Sequence, residues 1–279
     1  MDSVTVSRDS ILLKPIPSGV KQYFQSPYPV IDEQHAAYQM EGYIIMPKVL
    51  EGEALEYSRL IISEAVKVRT EQDKRTLSEK SQYEQSFLQC GYLCWDFPVI
   101  KEFVFGKRFA GIARDLMGVD GVRLWHDQAL FKQPGGRITD MHQDTTYWPL
   151  NTEKTTTMWA ALCDVPVEKG CLGFIPGSHR YGVKEYVDIF EHPHLPEAVK
   201  GTKLVNVPLR AGDATFHTGL TFHAANSNKT SETREAMTVI YFEDGATYDD
   251  TDERNKTHKS AVGTIPGQPV RTQYTPKLI

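Results

Sequence analysis

Apolar positions along this chain follow two different rhythms. Up to about residue 120 they recur three or four apart. Tyr57, Leu60, Ile61, Ala65 and Val68 share one face of a helix expected from Glu51 to Arg69. Phe109, Ile112, Ala113 and Leu116 make a second stripe, which Gly118 is placed to end. A shorter helical segment starts at Asp32 and stops near Gly42, and Tyr43-Ile44-Ile45-Met46 reads as an early strand closed by Pro47. Pro15, Pro17, Pro27 and Pro29 make the first thirty residues read as an irregular lead-in. Residues 70–90 are polar and charged and read as a loop or mobile segment.

After Gly121 the rhythm shortens to strands punctuated by Gly and Pro. Val122 to Lys132 is the first, stopped by Pro134-Gly135-Gly136. Thr155 to Val165, Leu172 to Ile175, Lys203 to Leu209, Ala214 to His217 and Glu235 to Phe242 follow, with Gly212-Asp213 as a turn. Many short strands of this kind argue for a sandwich or barrel, mainly β with flanking helices. One domain over residues 1–279 is expected: a mainly helical part (1–120), a β core (121–243) and a tail (244–279) that wraps the surface.

Composition narrows the function. The chain is 40% hydrophobic and 24% charged, which is ordinary for a globular protein. A net charge of −5 with no basic cluster excludes nucleic acid as the expected partner. The opening residues lack the apolar run of a secretory signal, and no stretch approaches the roughly 18 apolar residues of a membrane span, so the cytoplasm is the default location. Cys90, Cys94, Cys163 and Cys171 read as reduced thiols, since no second pair completes a zinc pattern. Nothing sets the oligomeric state.

The candidate chemistry lies in His142-Gln143-Asp144, His223 and Arg234. Residues i and i+2 of a strand point to the same side, so His142 and Asp144 can meet one ion. A distant second imidazole, His223, completes two imidazoles and a carboxylate, the set that occupies one face of an octahedral non-haem Fe(II) and leaves the other face open. His217 competes with His223, because an offset of six lets both face inward; it is expected beside the ligands or against substrate. His192 and His194 belong to a proline-bearing loop and read as surface. Arg234, at the start of an apolar strand, must be paired. Its rigid fork suits the distal carboxylate of a keto acid such as 2-oxoglutarate, with a structural ion pair as the other reading. Gln128 and Lys132 share a strand face, as do Thr157 and Trp159; Gln128, Thr157 and Trp159 are candidates to line the co-substrate pocket. Tyr147 and Trp148 are candidates for the substrate wall, together with His217 and Phe131.

In combination these motifs resemble the phytanoyl-CoA dioxygenase family. The resemblance is carried by His142-Gln143-Asp144, the following Tyr147-Trp148-Pro149-Leu150, Trp159 to Asp164, Gly170 to His179, and the stretch from Ala211-Gly212-Asp213 through His223, Asn226 and Arg234. It covers roughly residues 36–275. It implies a double-stranded β-helix (a jelly roll, cupin-like) with Fe(II) near one open end. It implies 2-oxoglutarate and O2 as co-substrates and His142, Asp144 and His223 as ligands. It also implies Arg234 at the distal carboxylate, Trp159 against the co-substrate, and release of succinate and CO2. The family's halogenating relatives lack the carboxylate ligand, and Asp144 keeps that position filled. The run His223-Ala224-Ala225 departs from the usual His-Gly-Ser and removes a hydroxyl that Thr157 or Gln128 would replace. The expected activity is oxidation of a small-molecule metabolite, by hydroxylation, desaturation or rearrangement, in secondary metabolism. Against it stand a cupin-like enzyme using another divalent metal and a non-catalytic binding module. Residues 70–90 and 181–200 are the expected lids.

Overall fold

The computed structural model describes residues 10–252 and 258–279. Residues 1–9, the opening of the expected lead-in, and residues 253–257 of the expected tail lie outside the described residues. The remainder of the lead-in is more regular than its prolines suggest. Helix α1 (Ser18–Gln25) starts directly after Pro17, where a missing N–H costs nothing, and buries Val20 and Phe24 four residues apart. Helix α2 (Asp32–Glu41) ends at Gly42, whose φ of 77° suits glycine and whose N–H closes the helix on the Tyr38 carbonyl. Strand β1 (Tyr43–Met46) and helix α3 (Gly52–Thr70) follow as expected.

Residues 70–90 are partly structured. Phe87 and Ser86 are buried, and strand β2 (Leu88–Gly91) pairs with the next strand of the chain but one helix group. That group is α4 (Leu93–Asp96), α5 (Pro98–Val104) and α6 (Lys107–Met117), the last ended by Gly118. The β part comprises β3 (Val122–Lys132), β4 (Thr139–His142), β5 (Leu150–Asn151), β6 (Thr155–Ala161), β7 (Leu172–Phe174), β8 (Val205–Val207), β9 (Ala214–Thr218), β10 (His223–Ala225), β11 (Arg234–Glu243) and β12 (Thr247–Tyr248). The expected strand from Thr155 to Val165 therefore stops at Ala161, with Val165 making an isolated bridge to Leu209.

Two antiparallel sheets face each other in a double-stranded β-helix. The major sheet runs β1-β9-β6-β11-β3-β2 and the minor sheet β4-β10-β7-β8, while β5 pairs with β12. The major sheet is covered on both sides, and its two faces differ in chemistry. Met158, Ala160, Phe216, Met237 and Val239 pack with Ile61, Phe109 and Ile112 of the helices. Thr157, Trp159, Thr215, His217 and Thr238, one position out of phase, face the minor sheet. A bulge between Ile240 and Tyr241 skips Trp125 in the β3 register. Leu124 accordingly joins the helical core while Trp125 packs beside Trp148 and Phe242.

This alternation corrects one expectation. Phe131 is buried in the core beneath the helices and does not reach the substrate side. It has the opposite parity to His126, Gln128 and Leu130, all of which face inward. The tail does more than wrap. Leu278 and Ile279 exchange backbone hydrogen bonds with Val122, and His258 stacks on Trp125 at 4.5 Å between ring centres. No described helix is long and apolar enough to cross a membrane.

Candidate active site

The sheets place three donors around one point. His142 ends β4 and His223 begins β10, and the two are direct partners across the minor sheet. Their rings are 4.2 Å apart. Asp144 lies just beyond β4, in a short turn of 3-10 helix (Asp144–Tyr147). It therefore reaches the point by chain reversal rather than by strand alternation with His142. Between them, Gln143 is fully buried and ties this turn to two other segments. Its Nε2 donates to the carbonyls of Leu220 (2.6 Å) and Val183 (2.9 Å), and its Oε1 accepts from the Glu185 N–H.

Asp144 Oδ1 lies 3.6 Å from both His142 Nε2 and His223 Nε2. The other nitrogen of each ring faces a main-chain carbonyl: His142 Nδ1 is 2.7 Å from Asp140 O, and His223 Nδ1 is 3.0 Å from Thr221 O. Each Nδ1 therefore donates, and each Nε2 presents its lone pair to the shared point. Burial lowers the His223 pKa to about 3, with His142 and His217 adding to the effect, so the ring is neutral. Burial pushes the Asp144 carboxyl up, but the surrounding imidazoles outweigh it and hold the group well below the usual carboxylate range. Two imidazoles and a carboxylate within reach of one another fit a divalent transition metal.

The outer oxygen of Asp144 is held separately. Thr157 Oγ1 donates to Oδ2 at 2.8 Å, and His217 Nε2 lies 3.4 Å from it. Thr157, expected against the co-substrate, is thus engaged at the carboxylate. His217 and His223 face each other from β9 and β10, in opposite sheets, so their even spacing is not what brings them together.

A cavity of about 350 Å³ opens beside the triad. His142, Asp144 and His223 line it, and so do Gln128, Tyr147, Trp148, Thr157, Trp159, His217 and Arg234. At its inner end Arg234 is 1% exposed and stacks over the Trp159 ring at 5.0 Å. Its terminal nitrogens donate to Gly170 O (2.9 Å) and Leu130 O (3.2 Å), while its Nε and the Trp159 indole N–H have no partner. No described carboxylate pairs with it. Burial lowers its pKa to about 10, which leaves it charged at neutral pH. Gly170 makes this arrangement possible: its φ is +87°, and a Cβ there would meet Asn226 O at 2.8 Å and the Lys132 side chain at 2.9 Å.

Lys132 stands directly across the strand pair from Arg234 and is fully buried. On the strand face it shares with Gln128, it points between the sheets, where Nζ donates to Arg137 O at 2.6 Å and to Thr139 Oγ1 at 3.4 Å. Burial lowers its pKa to about 6, and the cations of Arg234 and Arg137 push the same way. Two buried basic groups face one another here with no acid between them.

The two expected lids meet over the cavity. Tyr83, Phe87 and Gln89 come from the first, and Tyr186, Ile189 and Phe190 from the second. The Tyr83 and Phe190 rings are 4.5 Å apart. These residues, together with His126 and His258, were not singled out by sequence reasoning. Of them only His126 had a legible signal, since it shares a strand face with Gln128. His192 and His194 are exposed, as expected. All four cysteines are buried and free.

Two imidazole nitrogens and one carboxylate oxygen, converging at the open side of a double-stranded β-helix, define the 2-His-1-carboxylate class of mononuclear non-haem metal site. Within that class, the pattern of the phytanoyl-CoA dioxygenase (PhyH) family matches residues 38–236, and the chain belongs to that family. It is 29% identical over 160 residues to a phytanoyl-CoA dioxygenase domain-containing protein 1 homolog of Caenorhabditis briggsae, an alignment that covers 52% of this chain and 55% of that one. The chain thus spans about half the length of such curated relatives. Its structure is similar to that of the non-haem, α-ketoglutarate-dependent carbocyclase SnoK from nogalamycin biosynthesis. That match has a TM-score of 0.75 at 28% identity and covers 91% of this chain and 100% of SnoK. It is also similar to the epimerase SnoN in complex with Fe3+, α-ketoglutarate and nogalamycin RO, with a TM-score of 0.74 at 25% identity, covering 89% of this chain and 98% of SnoN.

Proposed function

We propose that this protein is an Fe(II)- and 2-oxoglutarate-dependent dioxygenase that oxidises a small-molecule metabolite of secondary metabolism and releases succinate and CO2. The observation that carries this reading is one cavity holding both a two-imidazole, one-carboxylate donor set and a buried arginine without an acid partner. Family membership and the iron and α-ketoglutarate bound by SnoN support it. The reading treats residues 1–279 as one domain, supported by a core that the helices and the major sheet share. It places the protein in the cytoplasm, supported by four cysteines that form no disulfide.

In this reading His142 Nε2, Asp144 Oδ1 and His223 Nε2 hold the iron. Bound iron supplies a site that chelates the keto acid and activates O2 for oxidation of a C–H bond, with hydroxylation as the default outcome. Arg234 takes the far carboxylate of 2-oxoglutarate through the Nε that nothing else occupies, and the Trp159 N–H stands ready beside it. Thr157 fixes the outer oxygen of Asp144 by a hydrogen bond, with the His217 ring beside it, which keeps Oδ1 turned to the metal. The carbonyls of Asp140 and Thr221 set the ring tautomers. Gln143 fastens the turn that carries Asp144 to the lid segment at Val183 and Glu185, and aromatic residues from both lids keep water from the reacting centre. No residue has to act as general base.

The test is succinate formation from 2-oxoglutarate by protein loaded with Fe(II) without oxygen and then exposed to O2. Wild type is expected to turn over slowly without substrate, and Asp144→Ala to lose at least about a thousandfold of that rate. Absence of turnover together with absence of the visible absorption band of an iron–keto acid chelate overturns the reading.

A further inference from the structure

The cavity walls divide sharply by charge. Among the described residues that line it, Asp144 is the only acid and Arg234 the only arginine or lysine, and the proposed function uses both at the metal and co-substrate end. The remaining lining holds no Asp, Glu, Lys or Arg. His126 and His258 approach the open side, with rings 5.7 Å apart. Burial lowers their pKa values to about 4 and about 3, so both are uncharged imidazoles at neutral pH. Burial raises the phenols of Tyr83 and Tyr147, which therefore stay protonated. A substrate carboxylate or phosphate would find no counter-charge here. It would instead meet Asp188 and Glu191, which flank Phe190 at the rim.

The neutral groups are nevertheless oriented. Tyr83 Oη donates to Gln89 Oε1 at 2.8 Å, and Gln89 Nε2 donates to Gln128 Oε1. Gln128 lines the cavity and its Nε2 N–H has no hydrogen-bond partner among the described residues. The chain of donors therefore ends at the Gln128 amide NH2, whose two N–H groups are unspent on a cavity-lining side chain. The His126 ring adds a second unspent polar atom, since its Nδ1 is buried without a partner. Around them stand aromatic rings set edge to face. Tyr147 meets Tyr186 at 68° and Phe190 at 79°, which leaves flat faces for another ring to stack against.

We propose that the substrate is an uncharged ring compound bearing a hydroxyl or carbonyl oxygen, which accepts a hydrogen bond from Gln128 Nε2 while the aromatic walls hold the ring. This rests on the dioxygenase reading and deepens it by naming the substrate class. Gln128 is the specificity residue; Gln89 and Tyr83 are positioning residues that act through it. Anionic thioesters of long fatty chains are the class this lining rejects.

The test uses full-length protein loaded with Fe(II) and 2-oxoglutarate without oxygen, followed by its visible chelate band. Four probes are titrated: α-tetralone (a neutral bicyclic ketone), tetralin (the same body without oxygen), naphthoate (a bicyclic anion) and octanoyl-CoA. α-Tetralone is expected to bind at least about tenfold more tightly than naphthoate or octanoyl-CoA. In Gln128→Leu the preference for α-tetralone over tetralin is expected to fall by about fivefold, the worth of one uncharged hydrogen bond. General damage to the cavity would weaken both probes alike and leave that ratio alone, so only a specific contact moves it. The proposal is overturned if an anionic probe binds as tightly as α-tetralone, if no neutral probe binds, or if the ratio is unchanged in Gln128→Leu. A protein that forms no chelate band before any probe is added fails the dioxygenase reading instead, and the two failures are distinct.

Discussion

The two faces of the major sheet are built from the same strands, one residue out of phase, and do opposite work. The outer face is a close-packed apolar layer against the helices, where Met158, Phe216, Met237 and Val239 spend their side chains on burial. The inner face carries Thr157, Trp159, His217, Thr238 and Arg234. Several of these leave polar atoms unpartnered: both ring nitrogens of His217, the Trp159 indole nitrogen and Arg234 Nε. Orphaned polar atoms in a protein interior normally cost stability. On this face they lie beside a cavity that can take a ligand, whereas the orphaned hydroxyls of Tyr38, Tyr57 and Tyr241 sit in the closed core beneath the helices. Stability is supplied from one side of the sheet, and recognition capacity is held on the other.

That contrast can be broken from either side. Phe131→Ala removes a buried ring from the outer face. It should cost about 3–5 kcal/mol in denaturant unfolding while leaving iron affinity per folded molecule unchanged. A loss of iron affinity without loss of stability would put Phe131 back on the functional face. Arg234→Met acts from the inner side. It should raise the KM for 2-oxoglutarate by about 100-fold in steady-state succinate assays, with the far-ultraviolet circular dichroism spectrum retained. An unchanged KM would show that the arginine is structural.

The smallest effect concerns pH. The folded protein holds His126 and His258 below their usual value of 6.5, whereas the unfolded chain does not. Between about pH 6.5 and 4 the unfolded state therefore binds more protons, and stability falls as the pH drops through that window and is complete above it. Each ring contributes at most roughly 1.4 kcal/mol per pH unit. Thermal melts of His258→Gln should show a shallower slope across this window than wild type. A slope of equal steepness would assign the acid sensitivity elsewhere.

The parts that were legible in the sequence are those whose signal is local. The triplet His142-Gln143-Asp144, with the isolated His223 and Arg234, stands out because the five residues together supply a metal-donor set and a carboxylate anchor, although the triplet lies in a polar stretch. Helix α3 and helix α6 announce themselves by spacing. Strands β4 and β10, which carry both ligand histidines, have four and three residues, too short for any alternation to register. Phe131 failed for a different reason. Its parity relative to Gln128 already excluded the two from one face, but its aromatic character drew it toward the substrate wall. The lid contact between Tyr83 and Phe190 joins segments 107 residues apart in the chain, and His258 reaches the cavity from the tail. Neither leaves a pattern in its own neighbourhood.

The pairing of Lys132 with Arg234 has a consequence for the life of the protein rather than for its rate. With the Lys132 pKa lowered to about 6, the charge of this buried pair sits mainly on Arg234 at neutral pH, and the terminal nitrogens of that arginine reach only main-chain carbonyls. A doubly charged keto acid that occupies the inner end of the cavity supplies the counter-charge this arginine lacks, and it does so only in the folded state. Such a ligand shifts the folding equilibrium by mass action. Under the proposed function, the amount of intact enzyme in a cell follows the local supply of 2-oxoglutarate, so starvation for the co-substrate thins the enzyme population through turnover as well as slowing each molecule.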